Sequence, residues 1–495
     1  MATPSLPCAN CSPDGTSCQN AGKSSCANCR LVTYCGSECQ KAHWPLHKLD
    51  CKSPLNSTGW KPDWVVKHRA PAFVGPVDGS HTRFGGQTSG DMRNVVKTIA
   101  QLPPGHDKPI EITLNDRDLY IVARNAIMLL IALTADDQDA AAECIIHVWY
   151  SSFIRKSDLD ILEQRAAESL LGKTWTFGKR SLRLVLRKFA WDKVLRFLNT
   201  PVGLTMERAN KIRKDVTLAK SRIDYRDRHF LLISPSTRLA KQRFREDGLL
   251  LPFGAGRSEF TVPNPTLFQD TDAWQMHDSA DPVEGWSAKD VDMTPNGPAT
   301  SDVYGKFFNH AHSTLKDFLG RISDHDISFK LLQVDAADLP AHVQKGSLDL
   351  IEVSNISDEG YLGIHRTVGL MVPLLSSPVC NPHATLITLF MNLIEENMTQ
   401  WDRVHDATST SATTQRLLKY LPFTRPPIDE LVDEFGIRGF THYLQAEMKE
   451  QQTIVERWPF KLKLRPGQDG AQQEFDRMLG GSVWGKQFYL EWKRV

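Results

Sequence analysis

Four pairs of metal-ligand residues crowd the first 51 positions of this chain: Cys8 with Cys11, Cys26 with Cys29, Cys35 with Cys39, and His47 with Cys51. Pairs at such short spacing present two donors from one tight turn, and a structural zinc ion takes four thiolate or imidazole donors in a tetrahedron. Eight donors therefore predict two closed zinc sites. So short a stretch buries little apolar surface, and the metal is expected to supply its folding free energy. The alternative, a disulfide framework, belongs to secreted chains, and the opening MATPSLPCANCSPDG has no basic segment followed by an apolar one.

Around these ligands stand Tyr34-Cys35, Cys39-Gln40, Trp44, His47 and Cys51. In that wording the segment resembles the MYND zinc finger. The resemblance implies interleaved sites, Cys8, Cys11, Cys35 and Cys39 holding one ion and Cys26, Cys29, His47 and Cys51 the other. Cys18 lies in the gap between the first two pairs with no close partner, and is expected to be a spare thiol. The resemblance also implies that a proline-and-leucine peptide lies against Gln40 and Trp44. Trp44 has a second reading as the aromatic core of a very small fold.

At 495 residues and 41% hydrophobic, the chain is long enough for two or three domains. Its longest apolar run, Ala126 to Leu133, is far shorter than the roughly 20 residues that cross a bilayer, so no membrane association is expected. Cysteines concentrated in the finger, with Cys144 and Cys380 in apolar text, fit a reducing intracellular compartment, cytoplasmic or nuclear. Net charge is +1, but residues 173 to 245 hold twenty Lys and Arg against five Asp and Glu. Leu182, Val185, Leu186 and Phe189 share one helical face, so Arg183, Arg187 and Lys188 are read as its solvated side, in preference to a nucleic-acid site.

Composition divides the chain. Residues 1–52 are the finger, and 53–83, rich in proline and without period, are a linker or wrapping arm. An α/β domain begins at 84–150: a helix opened by Asp91, a strand Ile110 to Leu114, and a long apolar helix capped by Asn115-Asp116. Residues 151–325 are expected to be a helical and irregular insertion. The α/β domain resumes over 326–495 with strands Phe329 to Val334, Leu348 to Val353, Ala384 to Asn392 and Phe488 to Lys493. Strands alternating with helices predict one parallel sheet covered on both faces.

Several of these strands end in acids, at the edge where open α/β sheets bind ligands. Gly90-Asp91, Asp116 and Asp335 stand in an order that resembles class I S-adenosylmethionine-dependent methyltransferases. That resemblance implies a Rossmann-like fold in which Gly90 and Asp91 approach the methionine part, Asp116 takes the ribose hydroxyls and Asp335 lies by the adenine. From the residues alone, Asp116 reads as a helix cap and Asp335 as a turn carboxylate. The segment HTRFGGQTSGD is poor in apolar residues and lacks a glycine-x-glycine spacing, so S-adenosylmethionine is expected to bind at millimolar strength or not at all. The strings SGDMRNVVKTIAQLP, LNDRDLYIVARN, LIEVSNISDEGYLG and NPHATLITLFMN look like a group of fungal MYND proteins. Their main domain is uncharacterised and also occurs in a dynein axonemal assembly factor, which implies a methyltransferase-like fold and no established reaction.

The expected function is partner capture by the zinc finger, attached to a methyltransferase-like domain of unknown activity. The alternative is a class I methyltransferase. A SET-type lysine methyltransferase is excluded by its missing asparagine-histidine-serine-cysteine and glycine-glutamate-glutamate strings, and by the lack of three further zinc-binding cysteines beyond residue 51.

Overall fold

The structure is a computed structural model that describes residues 6–10, 18–72, 91–169, 174–186, 188–396, 433, 436–439, 441–459, 462–465, 467–480 and 487–495. The chain forms two compact units. One comprises residues 1–86, 90–114 and 118–333, the other 87–89, 115–117 and 334–495.

The first unit opens with the finger, an antiparallel pair β1 (Ser24–Ser25) and β2 (Thr33–Tyr34) followed by α1 (Ser37–Cys51). Gly22 allows the chain to pass the Thr33 side chain, which a Cβ would strike. The following arm carries α2 (Asp63–Val66) and lies along the helical body. The guanidinium of Arg238 donates to the carbonyls of Leu55 at 2.9 Å and Ser57 at 2.7 Å, and Arg69 pairs with Asp224 at 2.5 Å. Residues 53–72 thus lie against α9 and α10, and 73–83, the rest of the expected linker or arm, lie outside the described residues.

After the arm come α3 (Met92–Ala100), β3 (Ile110–Asn115), α4 (Leu119–Thr134) and α5 (Gln138–Tyr150). Every residue of α4 from Ile121 to Leu133 is buried, Arg124 and Asn125 included, so α4 is a core helix covered on every side. Its cap differs from the expected Asn115-Asp116: the Asp118 carboxylate accepts from the Tyr120 amide at 2.8 Å. Strand β3 runs on through Asn115, which leaves the capping to Asp118.

Next stand β4 (Phe153–Arg155), α6 (Lys156–Ser169), β5 (Thr174–Phe177), β6 (Arg180–Val185) and α7 (Lys188–Val194). The helical face expected around Leu182 is a strand. Leu182 and Leu184 are buried while Arg183 between them is exposed, the alternation of a half-buried strand. Gly178, at φ +63°, turns β5 back into β6. The body continues with α8 (Met206–Thr217), α9 (Ile223–Leu231), α10 (Pro235–Asp247), β7 (Phe260–Pro263), α11 (Ala288–Met293), α12 (Val303–Asp324) and β8 (Ile327–Leu332). The sheet order is β3-β8-β6-β5, with β6 and β8 parallel. Residues 151–325 are thus no insertion beside the sheet, since they supply two of its four strands.

The second unit contains β9 (Leu350–Val353), α13 (Gly363–Met371), β10 (Thr385–Phe390), α14 (Leu393–Glu396), β11 (Ala446–Met448), α15 (Ala471–Gly480) and β12 (Phe488–Arg494). Here the order is β11-β12-β10-β9; β9 and β10 are parallel, and β12 is antiparallel to both its neighbours. All six residues of β10 are buried, as a strand covered on both faces requires. The chain is mixed α/β with parallel pairing, as expected. The described strands, however, fall in two four-stranded sheets and two two-stranded ones, β1-β2 and β4-β7, in place of the single sheet the alternation predicts.

Candidate metal centre

Cys26 and Cys29 flank a tight turn, and His47 and Cys51 stand one helical turn apart near the end of α1. The four are buried, and their donor atoms all lie within 4.8 Å of one another. Cys26 Sγ is 3.7 Å from Cys51 Sγ, and Cys29 Sγ is 3.5 Å from His47 Nε2. A zinc ion with Zn–S bonds of about 2.3 Å in tetrahedral geometry sets its sulfurs about 3.8 Å apart, so the spacing fits the ion. The same distances are far too long for a disulfide.

The second group is Cys8, Cys18, Cys35 and Cys39, also within 4.8 Å of one another. Cys35 to Cys39 is 3.5 Å, Cys18 to Cys35 3.9 Å and Cys18 to Cys39 4.0 Å. Cys18 was expected to be a spare thiol, and this placement corrects that expectation. The reason is backbone pairing: Cys8 donates its amide to the Asn20 carbonyl and Cys18 its amide to the Asn10 carbonyl, both at 2.9 Å, so the two segments run side by side. Cys8 and Cys18 meet across that pair without any short-range spacing to announce it. Cys11, the expected fourth ligand, lies outside the described residues.

The surroundings suit metal binding. Burial, reinforced by neighbouring His43, lowers the pKa of His47 to about 4, so the imidazole is neutral and free to ligate at ordinary pH. Burial pushes the Cys29 thiol well up, and the Cys35 hydrogen bond holds Cys39 up at about 12. Four neighbouring thiols resist joint ionisation, and a divalent cation removes that resistance. Asn28 Nδ2 donates to Cys51 Sγ at 3.2 Å and Asn10 Nδ2 to Cys39 Sγ at 3.5 Å, which helps carry thiolate charge. The buried Tyr34 hydroxyl lies 3.1 Å from His43 Nδ1, and His43 stacks on His47 at 5.9 Å. Asn10, Asn28 and His43 were not singled out from the sequence, since nothing in their spacing marks them as neighbours of ligands.

Trp44 is 37% exposed, whereas Tyr34 is 0% exposed. Tyr34 therefore fills the finger's core, and Trp44 presents its ring to solvent with Lys52 Nζ 5.9 Å from the ring centre. Gln40 is half-buried.

The expected nucleotide-edge residues are dispersed. Gly90 lies outside the described residues. Asp91 caps α3, accepting from the Arg93 amide at 2.9 Å, and pairs with the Arg93 guanidinium at 3.3 Å. Asp116 is buried and does not cap α4. Asp335 accepts from the Ala337 amide at 3.0 Å, opening the short 3-10 turn Ala336–Ala341, and faces Arg117 at 3.8 Å. Asn115, bonded through its side-chain amide to both the amide and the carbonyl of Val334 at 3.2 Å, brings 115–117 beside the Asp335 turn. Asp91 belongs to the first unit, Asp116 and Asp335 to the second.

No described helix is long and apolar enough to cross a membrane. Comparison with known proteins finds two family matches, the MYND finger over residues 8–51 and a domain of unknown function, DUF4470, over residues 80–154. Among curated proteins, the chain is 31% identical over 87 residues to the SET domain and MYND-type zinc finger protein 6 of Schizosaccharomyces pombe, covering 16% of this chain and 17% of that one. It is 46% identical over 48 residues to the human N-lysine methyltransferase SMYD2, covering 9% and 11%, and 38% identical over 55 residues to the Gallus gallus protein of that name, covering 11% and 13%. The chain thus spans less than a fifth of the length of these relatives. No solved structure matches. Family match and donor geometry agree on one point: the N-terminal segment is a MYND finger with two candidate zinc sites.

Proposed function

We propose that the chain is an intracellular adaptor, in which a zinc-held MYND finger captures a proline-and-leucine segment of a partner protein against Gln40 and Trp44. The observation that carries this reading is the exposure of Trp44, whose ring meets the candidate ligand His47 edge-on at 5.9 Å and still keeps 37% of its surface open to solvent. A large aromatic ring left in water beside half-buried Gln40 is a binding feature, since the finger's core is already filled by Tyr34. The two ions would be held by Cys26, Cys29, His47 and Cys51, and by Cys8, Cys35 and Cys39 with Cys18 or Cys11. The resemblance of the body to an uncharacterised domain of fungal proteins and of a dynein axonemal assembly factor brings no reaction with it. Titration of a proline-and-leucine peptide into full-length protein tests the reading. Binding lost in Trp44→Ala, with zinc content unchanged, supports it; binding unaffected by that substitution overturns it.

A second reading, a class I methyltransferase, draws on the parallel pairing of β9 with β10 and on the acids that follow strands β3 and β8. Against it, Asp91 and Asp335 are already engaged as caps. Similarity to lysine methyltransferases over so short a stretch does not extend their activity to this chain. Micromolar binding of S-adenosylmethionine, lost in Asp116→Ala or Asp335→Ala, would promote this reading above the adaptor.

A further inference from the structure

We infer that the partner segment is acidic as well as apolar, and that a lysine stripe on α1 reads its charge; the inference rests on the adaptor reading. Lys41, Lys48 and Lys52 stand at i, i+7 and i+11, within about 40° of one another around the helix, and all three are exposed. Pro45 lies on the same line, with exposed Trp44 on one flank and Leu49, 71% exposed, on the other. The approach of Lys52 to the Trp44 ring shows that cation and aromatic adjoin, so one bound segment can touch both.

The charge is not cancelled from within the helix. Of its two acids, Asp50 is taken by an ion pair with Arg243 of α10, which leaves Glu38 in the first turn facing the dipole. The outer surface of α1 therefore carries three ammonium groups between the Trp44 ring on one flank and an apolar strip of Pro45 and Leu49 on the other. A segment that covers the strip with proline or leucine and places carboxylates on its flanks satisfies both features. A plain polyanion satisfies only the first, because a duplex or a phosphate surface has no use for the apolar strip. Exposed pairs are individually weak and screened by salt, so the stripe adds preference and the apolar strip anchors.

The test uses full-length protein and fluorescein-labelled peptides with one proline-and-leucine core flanked by Asp-Glu, by Gly-Ser or by Lys-Arg. The Asp-Glu peptide is expected to bind about tenfold more tightly than the Gly-Ser peptide at low salt, with the gap closing toward 1 M salt. Lys48→Glu with Lys52→Glu should abolish the preference and turn it toward the Lys-Arg peptide, with zinc content still at two. Equal binding of all three peptides overturns the charge inference and leaves the adaptor reading standing. Binding that ignores both flanks and Trp44→Ala overturns both. Tighter binding to duplex DNA or to phosphatidylserine vesicles than to the Asp-Glu peptide, or loss of zinc in the lysine variants, also overturns the inference, the latter by assigning the stripe to the metal sites.

Discussion

Ser236, in the first turn of α10, donates its hydroxyl to the carbonyl of Cys29 at 2.9 Å, tying a candidate zinc ligand to the helical body. The tie is one of several. Arg243 pairs with Asp50, the Ser301 amide donates to the Arg30 carbonyl at 3.3 Å, and Gly254 lets the chain approach Ala9 and Val32. A finger seated by so many contacts is part of the first unit's packing, and residue 52 is not a clean boundary within it.

Deleting residues 1–52 is therefore expected to destabilise the first unit. Arg243 would lose its carboxylate, and the surface around Gly254 its apolar cover. The loss should reach about 3 kcal/mol, from unpaired polar groups and lost burial together. Urea unfolding followed by near-ultraviolet dichroism measures it. A truncated chain that unfolds at the full-length midpoint would show that the contacts are incidental. Stripping zinc with a strong chelator should move the same transition in the same direction, because metal binding is coupled to the folding of the finger.

The ligand set gives a second expectation. Cys18→Ser should lower bound zinc from two ions to one, since Cys18 Sγ stands with Cys8, Cys35 and Cys39, and Cys11→Ser should leave two. Elemental analysis of both variants decides, and the reverse result would restore the pairing implied by the family pattern.

Cys26, Cys29, His47 and Cys51 were legible from the chain because their spacings are local, set by a turn and by one turn of α1. Cys18 was not, because its place depends on backbone pairing with residues 8 to 10. The same divide explains the basic stretch. The alternation in RSLRLV was masked by leucines that also fit a helical period, and the uses of the arginines involve distant partners. Arg222 pairs with Asp278 at 2.9 Å, and Arg213 donates to the Arg245 carbonyl at 2.8 Å, closing the end of α10. Arg183 is exposed, as its reading as a solvated charge expected, while other arginines of the basic stretch fasten the arm, the finger and α10. The positions of β3, β8, β9, β10 and β12 were legible from their apolar runs, but their division between two four-stranded sheets depends on pairing that no single strand encodes.

Gly254→Leu tests the seating of the finger without touching a ligand. A Cβ at 254 would lie 2.9 Å from the Ala9 Cβ and 3.4 Å from Val32 Cγ1, so a larger side chain must push the finger away. The expected cost is about 1–3 kcal/mol, with both zinc ions retained. Gly320→Ala is the matched control: nothing lies within 4 Å of its Cβ position in α12, and the change should stabilise by about 0.5–1 kcal/mol. Equal effects from the two substitutions would remove the argument from close approach.

Asp358 supplies a pH-dependent term in the second unit. Its buried carboxylate, in the loop after β9, accepts from the amides of Met391 at 3.2 Å and Asn392 at 3.1 Å and from Asn392 Nδ2 at 3.0 Å. Burial outweighs these donors and, with the repulsion of Glu396, pushes its pKa up to about 6. The folded pKa thus exceeds the unfolded value of about 3.9, and between the two the folded state binds more protons than the unfolded one. The contribution is fully present below about pH 4 and is lost as pH rises through 6, by at most about 3 kcal/mol. Asp358→Asn cannot ionise, so the variant should lack this fall while wild type shows it. Urea unfolding of both proteins at steps from pH 4.5 to 7.5, with the carboxyl carbon of Asp358 followed by NMR, makes the comparison. Parallel stability curves, or an Asp358 midpoint below pH 5, would mean that the amide donors prevail over burial and that the carboxylate is a fixed anion tying the loop after β9 to the end of β10.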